Sequence, residues 1–258
     1  MLSDRRTASQ QRIDNELARR AAVHAALGEP VRLAIVDELA TSDRSPRELA
    51  VRLALATNLL AHHLDVLEAA GVVTRSASAG DGRRKYVRLV HAAVDGLGVR
   101  ARVPRGEMLF LCTHNSARSQ LASALWTARS GRPARSAGTA PASRVHRGAV
   151  AAARRAGLSL DGAEPTALDR LDGIPASAQV VTVCDLVHEE LDADPAWWHW
   201  SIPDPVAGGG ASAFDAVVAE LDTRITTVVA ALERTLERTL ERTHERTLER
   251  THDRSTPR

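Results

Sequence analysis

The stretch LFLCTHNSARSQLASALW, Leu109–Trp126, joins an apolar run to a helical pattern through a short polar segment. Cys112 ends the apolar run, and Arg118 stands at the start of the helical pattern. A strand, a tight turn and a helix in this order direct the backbone N–H groups of the turn to a helix N-terminus, where they can bind a tetrahedral oxyanion. The stretch therefore predicts an oxyanion-binding loop between a buried strand and a helix.

Cys112 is the candidate nucleophile of this loop. The N–H groups, the helix dipole and the hydroxyl of Ser119 would stabilise its thiolate. The planar guanidinium of Arg118 would hold two equatorial oxygens and stabilise the charge gained during in-line transfer. Asn115 tolerates the left-handed backbone that such a turn usually needs. The other candidates for oxyanion binding lie between the cysteine and the arginine; they are Thr113, His114, Ser116 and Ala117.

Two residues outside the loop favour a catalytic site over a buried, inert cysteine beside a surface arginine. Asp204 lies in WHWSIPDPVA, a segment rich in aromatics and prolines that could hold a carboxylic acid near the loop. Cys184 ends the next strand-like run, AQVVTVC. Active sites of parallel sheets gather at the carboxyl ends of the strands, so the second thiol is predicted to lie near the first.

Length and composition limit the class of protein. The 258 residues are enough for two domains, each with its own core. Two cysteines cannot form a disulfide framework, and no apolar run has the length of a membrane span or the form of a signal peptide. We therefore expect a soluble cytoplasmic protein. Because the net charge is only +2, any nucleic-acid binding must depend on a local basic cluster.

Two patterns divide the chain. Apolar residues recur at helical spacing in the first half, which ends in two short alternating runs around Gly80, Asp81 and Gly82, a pattern typical of a hairpin. From Met108 onward, strand-like runs alternate with helical ones, as in a parallel sheet with helices on its faces. The predicted architecture is a mainly α winged helix-turn-helix domain with its linker, then an α/β domain, then a low-complexity tail. These regions span residues 1–98, 99–232 and 233–258.

The tail repeats a four-residue unit, as in LERTLERT. In a helix of about 3.6 residues per turn, this period drifts by roughly 40° per repeat, so its Leu/His stripe cannot stay on one flat core. We expect a solvated helical extension that frays. It is either a repeat expansion without a specific role or an oligomerising or partner-binding helix.

Three motifs resemble the low-molecular-weight protein tyrosine phosphatase family, and more closely its arsenate reductase branch. They are CTHNSARS at 112–119, SAGT at 136–139 and the pair Asp204-Pro205. The resemblance covers residues 109 to about 232 and implies a four-stranded parallel sheet. The roles it implies are nucleophile for Cys112, oxyanion binder for Arg118 and general acid for Asp204.

The second cysteine separates two activities of this family. In a phosphatase, Cys112 takes the phosphoryl group, while Asp204 protonates the leaving oxygen and then activates water. In an arsenate reductase, a second thiol attacks the Cys112 sulfur and expels arsenite, and Cys184 matches the position of that thiol. We favour arsenate reduction, with protein tyrosine phosphatase activity as the alternative. The aromatic wall that a phosphatase needs would come from Trp197, Trp198 or Trp200, for which simple packing is the other interpretation.

The reductant is external. No cysteine follows Cys184, so the three-cysteine relay of thioredoxin-coupled relatives is excluded. Ala117 occupies a loop position that is often cysteine in this superfamily. Two routes for the reduction remain: formation of a Cys112–Cys184 disulfide, or direct use of a small external thiol. We expect no bound cofactor, and electrons from mycothiol, glutathione or a thioredoxin system.

A second resemblance covers about Arg12 to Val90. The run NLLAHHLDVLEAAGVV, residues 58–73, resembles the recognition helix and following turn of the arsenic-repressor (ArsR/SmtB) winged-helix family. The resemblance implies binding to an operator DNA as a homodimer. This half has no cysteine, and we predict no metal site. The candidates for base contact are Thr57, Asn58, His62 and His63, with partial burial as the alternative for the histidines; those for phosphate or minor-groove contact are Arg83, Arg84 and Lys85.

Overall fold

The chain folds around two apolar cores. The computed structural model describes residues 2–171, 173–191 and 193–253. One cluster of buried apolar side chains lies within residues 23–94 and a second lies within residues 108–229. Each half of the chain therefore has a core of its own, and polar contacts described below connect the two halves.

The N-terminal half consists of helices followed by an antiparallel hairpin, in the predicted order. Val73 pairs with Leu89 at the open end of the hairpin, so the predicted hairpin is confirmed. The third helix begins at a capping box, in which Ser45 accepts a hydrogen bond from the Glu48 N–H and the Glu48 carboxylate accepts one from the Ser45 N–H. The elements are α1 (Leu2–Leu27), α2 (Pro30–Leu39), α3 (Pro46–Arg52), α4 (Thr57–Ala69), β1 (Val73–Ala77) and β2 (Lys85–Leu89).

The C-terminal half is built on a parallel sheet of four strands, as predicted, in the order β4-β3-β5-β6. Strand β3 is interior to the sheet and all five of its residues are buried, as expected for a parallel strand covered on both faces. The elements are β3 (Met108–Cys112), α5 (Arg118–Ser130), β4 (Ala134–Gly138), α6 (Arg147–Arg155), β5 (Gln179–Thr182), α7 (Asp185–Glu190), β6 (Trp198–His199), α8 (Pro205–Gly208) and α9 (Ala211–Asp253).

The second cysteine lies just beyond a strand and not within it. Strand β5 ends at Thr182, and Cys184 is the residue that precedes the first turn of α7. Because Leu111 of β3 pairs with Thr182 of β5, the segments that follow the two strands leave the same edge of the sheet. Cys112 and Cys184 therefore lie on the same side of the fold.

The repeat-rich tail continues α9 without a break as far as Asp253. Among the side chains of this helix that the structure describes, Leu232 is the last buried apolar residue, and Leu236 is already 45% exposed. Residues 254–258, the end of the predicted fraying extension, lie outside the described residues. Within the described ranges, every helix is too short or too polar to span a lipid bilayer.

A three-residue segment before α3 joins the two sheets. The backbone of Arg44 exchanges hydrogen bonds with Val87 of β2, at 3.2 and 2.8 Å. On the other side, the Asp43 N–H donates to the His199 carbonyl at 2.7 Å, and the His199 N–H donates to the Ser42 hydroxyl at 2.8 Å. Residues 42–44 therefore cover the free edge of β6, which would otherwise present unpaired backbone groups.

The turn of the hairpin is held by the helix that follows Cys184. The Ala79 N–H donates to the Asp185 carboxylate at 2.7 Å. The Ser78 hydroxyl and the Asp81 N–H donate to the two oxygens of Glu189, each at 2.7 Å. Two carboxylates of the C-terminal half thus bind the polar groups at the tip of the hairpin.

A buried polar network connects α3 with the sheet of the C-terminal half. The Thr182 hydroxyl lies 3.0 Å from His188 Nδ1 and 2.9 Å from His199 Nδ1, and the two imidazole rings stack 4.1 Å apart. His199 Nε2 lies 3.0 Å from Asp185 Oδ1, and His188 Nε2 lies 3.7 Å from Glu48 Oε1. Burial lowers the pKa of His199. The network therefore places a Glu48 carboxylate from one half against an imidazole from the other.

Replacement of Glu48 should reveal this contact through its pH dependence. Burial raises the pKa of Glu48, but the nearby His188 imidazole and the hydrogen bonds from Ser45 outweigh it and bring the pKa to about 2, from 4.5. The resulting stabilisation is fully present above pH 4.5 and is lost as the pH falls through the folded-state pKa. At pH 6 we expect Glu48→Gln to lower the free energy of unfolding by roughly 2–3 kcal/mol, a difference that shrinks toward zero at acidic pH.

Urea unfolding of both proteins between pH 3 and pH 6 measures this difference. Glu164→Gln, at an exposed carboxylate, is the matched control and should stay within about 0.5 kcal/mol of the parent chain throughout. A Glu48→Gln difference that is the same at every pH would contradict the assignment.

Candidate active site

The loop between β3 and α5 is held from outside through its carbonyl groups. The carbonyls of Thr113, His114 and Ser116 accept hydrogen bonds, at 2.8–3.0 Å, from backbone N–H groups of residues 140–146. A trans peptide unit directs its C=O and N–H groups in opposite directions. The N–H groups that follow these three carbonyls therefore point away from residues 140–146 and into the loop, as an oxyanion site requires.

The N-terminus of α5 is open to an anion. Ala117 precedes the first turn of this helix and offers no side chain to cap it. The first N–H groups of a helix have no intrahelical acceptor, so a negatively charged ligand is stabilised there. The predicted strand, loop and helix are thus all present around Cys112.

Cys112 lies at the floor of the loop and is 2% exposed. Its Sγ lies 3.0 Å from the Ser119 hydroxyl, which in turn accepts a hydrogen bond from Asn115 Nδ2 at 2.8 Å. With its oxygen engaged as an acceptor, the Ser119 hydroxyl is free to donate its proton to a thiolate. The predicted contact between Ser119 and the Cys112 sulfur is therefore present.

Asn115 fixes the shape of the loop. Its backbone has a φ of 45°, in the left-handed region, and its side chain is fully buried. Besides donating to Ser119, the amide accepts hydrogen bonds through Oδ1 from Thr166 N–H at 2.8 Å and from Gln120 Nε2 at 3.1 Å. Sequence reasoning identified the backbone requirement of Asn115 but missed Gln120 and Thr166, because neither carries a chemical signature in the sequence.

Gly138 allows β4 to approach the loop. A Cβ atom at this position would lie 2.5 Å from the Thr113 carbonyl oxygen and 2.9 Å from the Asn115 nitrogen. No side chain fits there without moving loop backbone. The glycine of the SAGT motif therefore supports the active-site loop by its lack of a side chain.

Arg118 and Asp204 meet at the mouth of the loop. Arg118 is only 7% exposed, and its Nη1 donates to the Ile202 carbonyl at 3.1 Å. Its Nη2 lies 3.7 Å from Asp204 Oδ2, while Asp204 Oδ1 accepts the Val206 N–H at 3.0 Å and caps α8. One carboxylate oxygen is thus anchored, and the side chain, 40% exposed, can reach a bound ligand.

Cys184 lies against the same loop. Its Sγ lies 3.5 Å from the Thr113 hydroxyl, and its side chain is 1% exposed. Burial is the main cause that raises the pKa of Cys184; the charge of nearby Cys112 raises it further, whereas Arg118 lowers it. The four predicted catalytic residues Cys112, Arg118, Asp204 and Cys184 are therefore brought together.

The tryptophans around Asp204 mostly serve packing. Trp198 is 2% exposed and Trp200 is 1% exposed, and the Trp200 indole N–H donates to the Thr41 carbonyl at 2.8 Å. Neither ring can form the wall of an open substrate cleft. Of the three candidates, only Trp197 is partly exposed.

The predicted DNA-contacting residues are not all on the surface. Thr57, Asn58 and His62 of α4 are exposed. His63 is 7% exposed, and its Nδ1 lies 3.6 Å from Glu29 Oε2. It shares the buried face of the helix with the leucines one turn before and after it. His63 is therefore not available to a base edge, which corrects the prediction at this position.

The basic residues of the hairpin lie beside its docked tip. Arg83, Arg84 and Lys85 are all exposed. Arg84 Nε lies 3.8 Å from Glu189 Oε1, and a hydrogen bond with Tyr86 raises the pKa of the arginine. The side chains of Arg83 and Lys85 are therefore more available than that of Arg84 for contact with an anionic partner. Within the described part of the chain, no group of three or more histidine, cysteine or carboxylate side chains is arranged to hold a metal ion.

The comparisons with known proteins concern the C-terminal half. A family model described as low molecular weight phosphotyrosine protein phosphatase matches residues 107–238. An arsenate reductase from Archaeoglobus fulgidus DSM 4304 is 31% identical, with a TM-score of 0.40 over 48% of this chain and 99% of that chain. The YwlE arginine phosphatase from Geobacillus stearothermophilus is 24% identical, with a TM-score of 0.43 over 50% of this chain and 94% of that chain.

The tyrosine phosphatase amsI from Erwinia amylovora is 23% identical, with a TM-score of 0.41 over 51% of this chain and 94% of that chain. Each of these structures covers about half of this chain. No curated protein matches it.

Substitution of Asn115 tests its structural role in the loop. In Asn115→Ala, the Thr166 N–H loses its acceptor and alanine must adopt a left-handed backbone, so we expect a loss of about 2–4 kcal/mol in the free energy of unfolding. Asn115→Gly loses the same hydrogen bonds without the backbone strain and should be about 1 kcal/mol more stable than the alanine variant. Urea unfolding measures both; an alanine variant as stable as the glycine variant would contradict the strain argument.

Proposed function

Because the chain belongs to the low molecular weight phosphotyrosine protein phosphatase family, we propose that it is a thiol-dependent arsenate reductase in which Cys112 is the nucleophile and Cys184 the resolving thiol. The observation that carries the proposal is the position of Cys184, buried against Thr113 of the oxyanion loop. The phosphoryl-transfer steps of a phosphatase do not require a second thiol. The proposed setting is the cytoplasm, whose reducing conditions keep both cysteines free.

In the first step the Cys112 thiolate attacks the arsenic atom of arsenate. A sulfur–arsenic bond forms, an arsenic–oxygen bond breaks, and the oxygen leaves as water with a proton from Asp204. Arg118 and the loop N–H groups hold the remaining oxygens. Arsenic is still As(V) at this stage, and Cys112 no longer carries a negative charge.

In the second step Cys184 attacks the Cys112 sulfur. The charge of Cys112 helps to raise the pKa of Cys184, so its loss in the first step, with Arg118 nearby, favours the Cys184 thiolate. A sulfur–sulfur bond forms and the sulfur–arsenic bond breaks, leaving its electron pair on arsenic, which departs as arsenite. An external thiol or redoxin then reduces the disulfide and returns two electrons.

Phosphatase activity on phosphotyrosine is the second candidate, and the position of Asp204 favours it. A carboxyl group 3.7 Å from the Arg118 guanidinium can protonate a phenolate leaving group. Cys112 would carry the phosphoryl group, and water activated by Asp204 would release phosphate and restore the thiolate.

Replacement of Cys184 separates the two activities. We expect Cys184→Ser to lose at least about 100-fold in arsenite formation, because no internal thiol attacks Cys112, and to keep hydrolysis of p-nitrophenyl phosphate within about threefold. Cys112→Ser should lose both. Arsenite is measured with the reduced full chain, supplied in parallel with a thioredoxin system and with small thiols plus a glutaredoxin-like partner.

The controls decide between the candidates. If the parent chain hydrolyses aryl phosphate but makes no arsenite with either reductant, the reductase proposal is overturned and the phosphatase proposal is supported. Full arsenite formation by Cys184→Ser would refute the resolving role of Cys184.

For the N-terminal half we propose sequence-specific DNA binding as a homodimer, with arsenic-responsive regulation as its purpose. The exposed residues Thr57, Asn58 and His62 at the start of α4 and the charges of Arg83 and Lys85 support the proposal. Polar side chains at the N-terminal end of a helix can reach base edges in the major groove. Arginine and lysine beside it can neutralise phosphates.

Two variants distinguish base contact from phosphate contact. With a DNA fragment from upstream of the protein's own gene, we expect Asn58→Ala to weaken binding about tenfold relative to a scrambled fragment. Arg83→Ala should lower the slope of log affinity against log salt by about 1 on both fragments. Fluorescence anisotropy over a salt series measures both quantities.

Arg132→Ala, at an exposed arginine of the C-terminal half, is the matched control and should change neither quantity. Equal affinity of the parent chain for both fragments would overturn the proposal of specific binding.

A further inference from the structure

We propose that Asp43, a residue of the N-terminal half, is a positioning residue for the general acid of the C-terminal half. The inference rests on the role of Asp204 in the proposed function. It means that the N-terminal half contributes to catalysis and not only to a separate binding activity.

The contact that carries the inference is a hydrogen bond to the backbone that leads to Asp204. The Ser201 N–H donates to Asp43 Oδ2 at 2.8 Å, and both residues are buried. The Asp43 N–H donates in return to the His199 carbonyl at 2.7 Å. Asp43 therefore forms hydrogen bonds with the backbone on both sides of Trp200. Strand β6 ends at this point, and the segment that carries Asp204 begins.

The Asp43 carboxylate is itself fixed. Arg224 of α9 donates to both of its oxygens at 3.0 Å, and Arg88 Nε lies 3.6 Å from Oδ2. Asp43 is fully buried and Arg224 is 3% exposed. Glu220 accepts from Arg224 Nε at 2.8 Å and completes the cluster. A carboxylate held by a bidentate guanidinium in this way is a rigid anchor for a third donor.

The anchored segment reaches the reacting groups within a few residues. Ile202, next to Ser201, presents its carbonyl to Arg118 Nη1 at 3.1 Å. Asp204 follows two residues later and lies 3.7 Å from the other nitrogen of the same guanidinium. Because Arg118 is also held by α5, a shift at Ser201 acts mainly on Asp204. A misplacement of about 1 Å can reduce a rate by roughly 100-fold.

If the Asp43–Arg224 ion pair only stabilised the fold, a different result would be expected. A bidentate Arg224–Asp43 pair is electrostatically satisfied by itself, and removal of both charges with apolar side chains of similar volume can leave stability unchanged. If that were its whole role, variants that lack the pair would lose activity equally on all substrates. A positioning role instead predicts a selective loss where the acid must protonate the leaving group.

The experiment compares two double variants of the full chain that both lack the ion pair. Asp43→Asn with Arg224→Met keeps a side-chain oxygen for the Ser201 N–H, whereas Asp43→Leu with Arg224→Met removes it. The kcat/KM of each is measured for p-nitrophenyl phosphate, whose leaving group departs as a stable anion, and for phenyl phosphate, whose leaving group needs a proton. In both reactions Cys112 Sγ bonds to phosphorus as the aryl oxygen–phosphorus bond breaks. Asp204 gives its proton to the phenolate oxygen of phenyl phosphate, whereas p-nitrophenolate leaves as the anion without that proton.

We expect the leucine variant to lose roughly tenfold or more on phenyl phosphate and less than about threefold on p-nitrophenyl phosphate. The asparagine variant should stay within about threefold of the parent chain on both substrates. Ser42→Ala, which removes the hydroxyl that accepts the His199 N–H but keeps the ion pair, should show a smaller loss confined to phenyl phosphate. This single variant decides the question if the double variants do not fold.

Equal losses on the two substrates, or equal behaviour of the leucine and asparagine variants, would overturn the inference. So would an unaffected Ser42→Ala when neither double variant folds. A parent chain that hydrolyses neither aryl ester would also overturn it, because Asp204 would then have no leaving group to protonate. The arsenite assay is independent of that outcome, so failure of this inference is distinguishable from failure of the proposed reductase.

Discussion

The register between β3 and β5 is the constraint on which the site depends. The Val183 N–H donates to the Leu111 carbonyl at 2.7 Å, one residue beyond the last paired position of the two strands. A one-residue slip would turn every side chain of these buried strands to the opposite face of the sheet, against different neighbours, so the register is strongly specified. The register fixes where the chain after each strand begins, and so brings Cys112 and Cys184 to one edge. The two-thiol chemistry that we propose depends on this backbone alignment.

Polar contacts, rather than a shared apolar core, connect the two halves of the molecule. Each half has its own cluster of buried apolar residues. Between them lie the Asp43–Arg224 pair, the stacked His188 and His199 rings, and the docked tip of the hairpin. Buried polar groups require well-defined partners, so such an interface specifies one geometry instead of a range of them.

Much of the fold could be predicted from the sequence because its patterns are local. The apolar run before Cys112, the helical spacing after Arg118 and the turn residues of the hairpin each indicated an element that is present. Strands β4 and β6 were not recognisable, since β4 is the polar segment ARSAG and β6 has two residues. Their positions are set by neighbouring strands and not by their own side chains. Cys184 was predicted to end a strand, but the strand stops at Thr182 and a helix begins.

The candidate catalytic residues could be identified in the sequence because the combination of side chains they form is rare, whereas the residues that support them could not. Nothing in TSDRS marks Asp43 as a partner of Ser201, which is far from it in sequence. The burial of His63 follows from its position on the helix face that carries Leu60 and Leu67, whereas the adjacent His62 is exposed. These positions are decided by tertiary contacts.

The segment that joins the two sheets has a consequence for protein engineering. Residues 42–44 belong to the first half by chain order and complete the edge of the second half's sheet by hydrogen bonding. A boundary drawn at the linker would therefore cut the C-terminal half away from part of its own sheet edge. A chimera that joins the C-terminal half to another domain would need a replacement for residues 42–44 at the edge of β6. The structural unit is therefore larger than the contiguous stretch of sequence that encodes its strands.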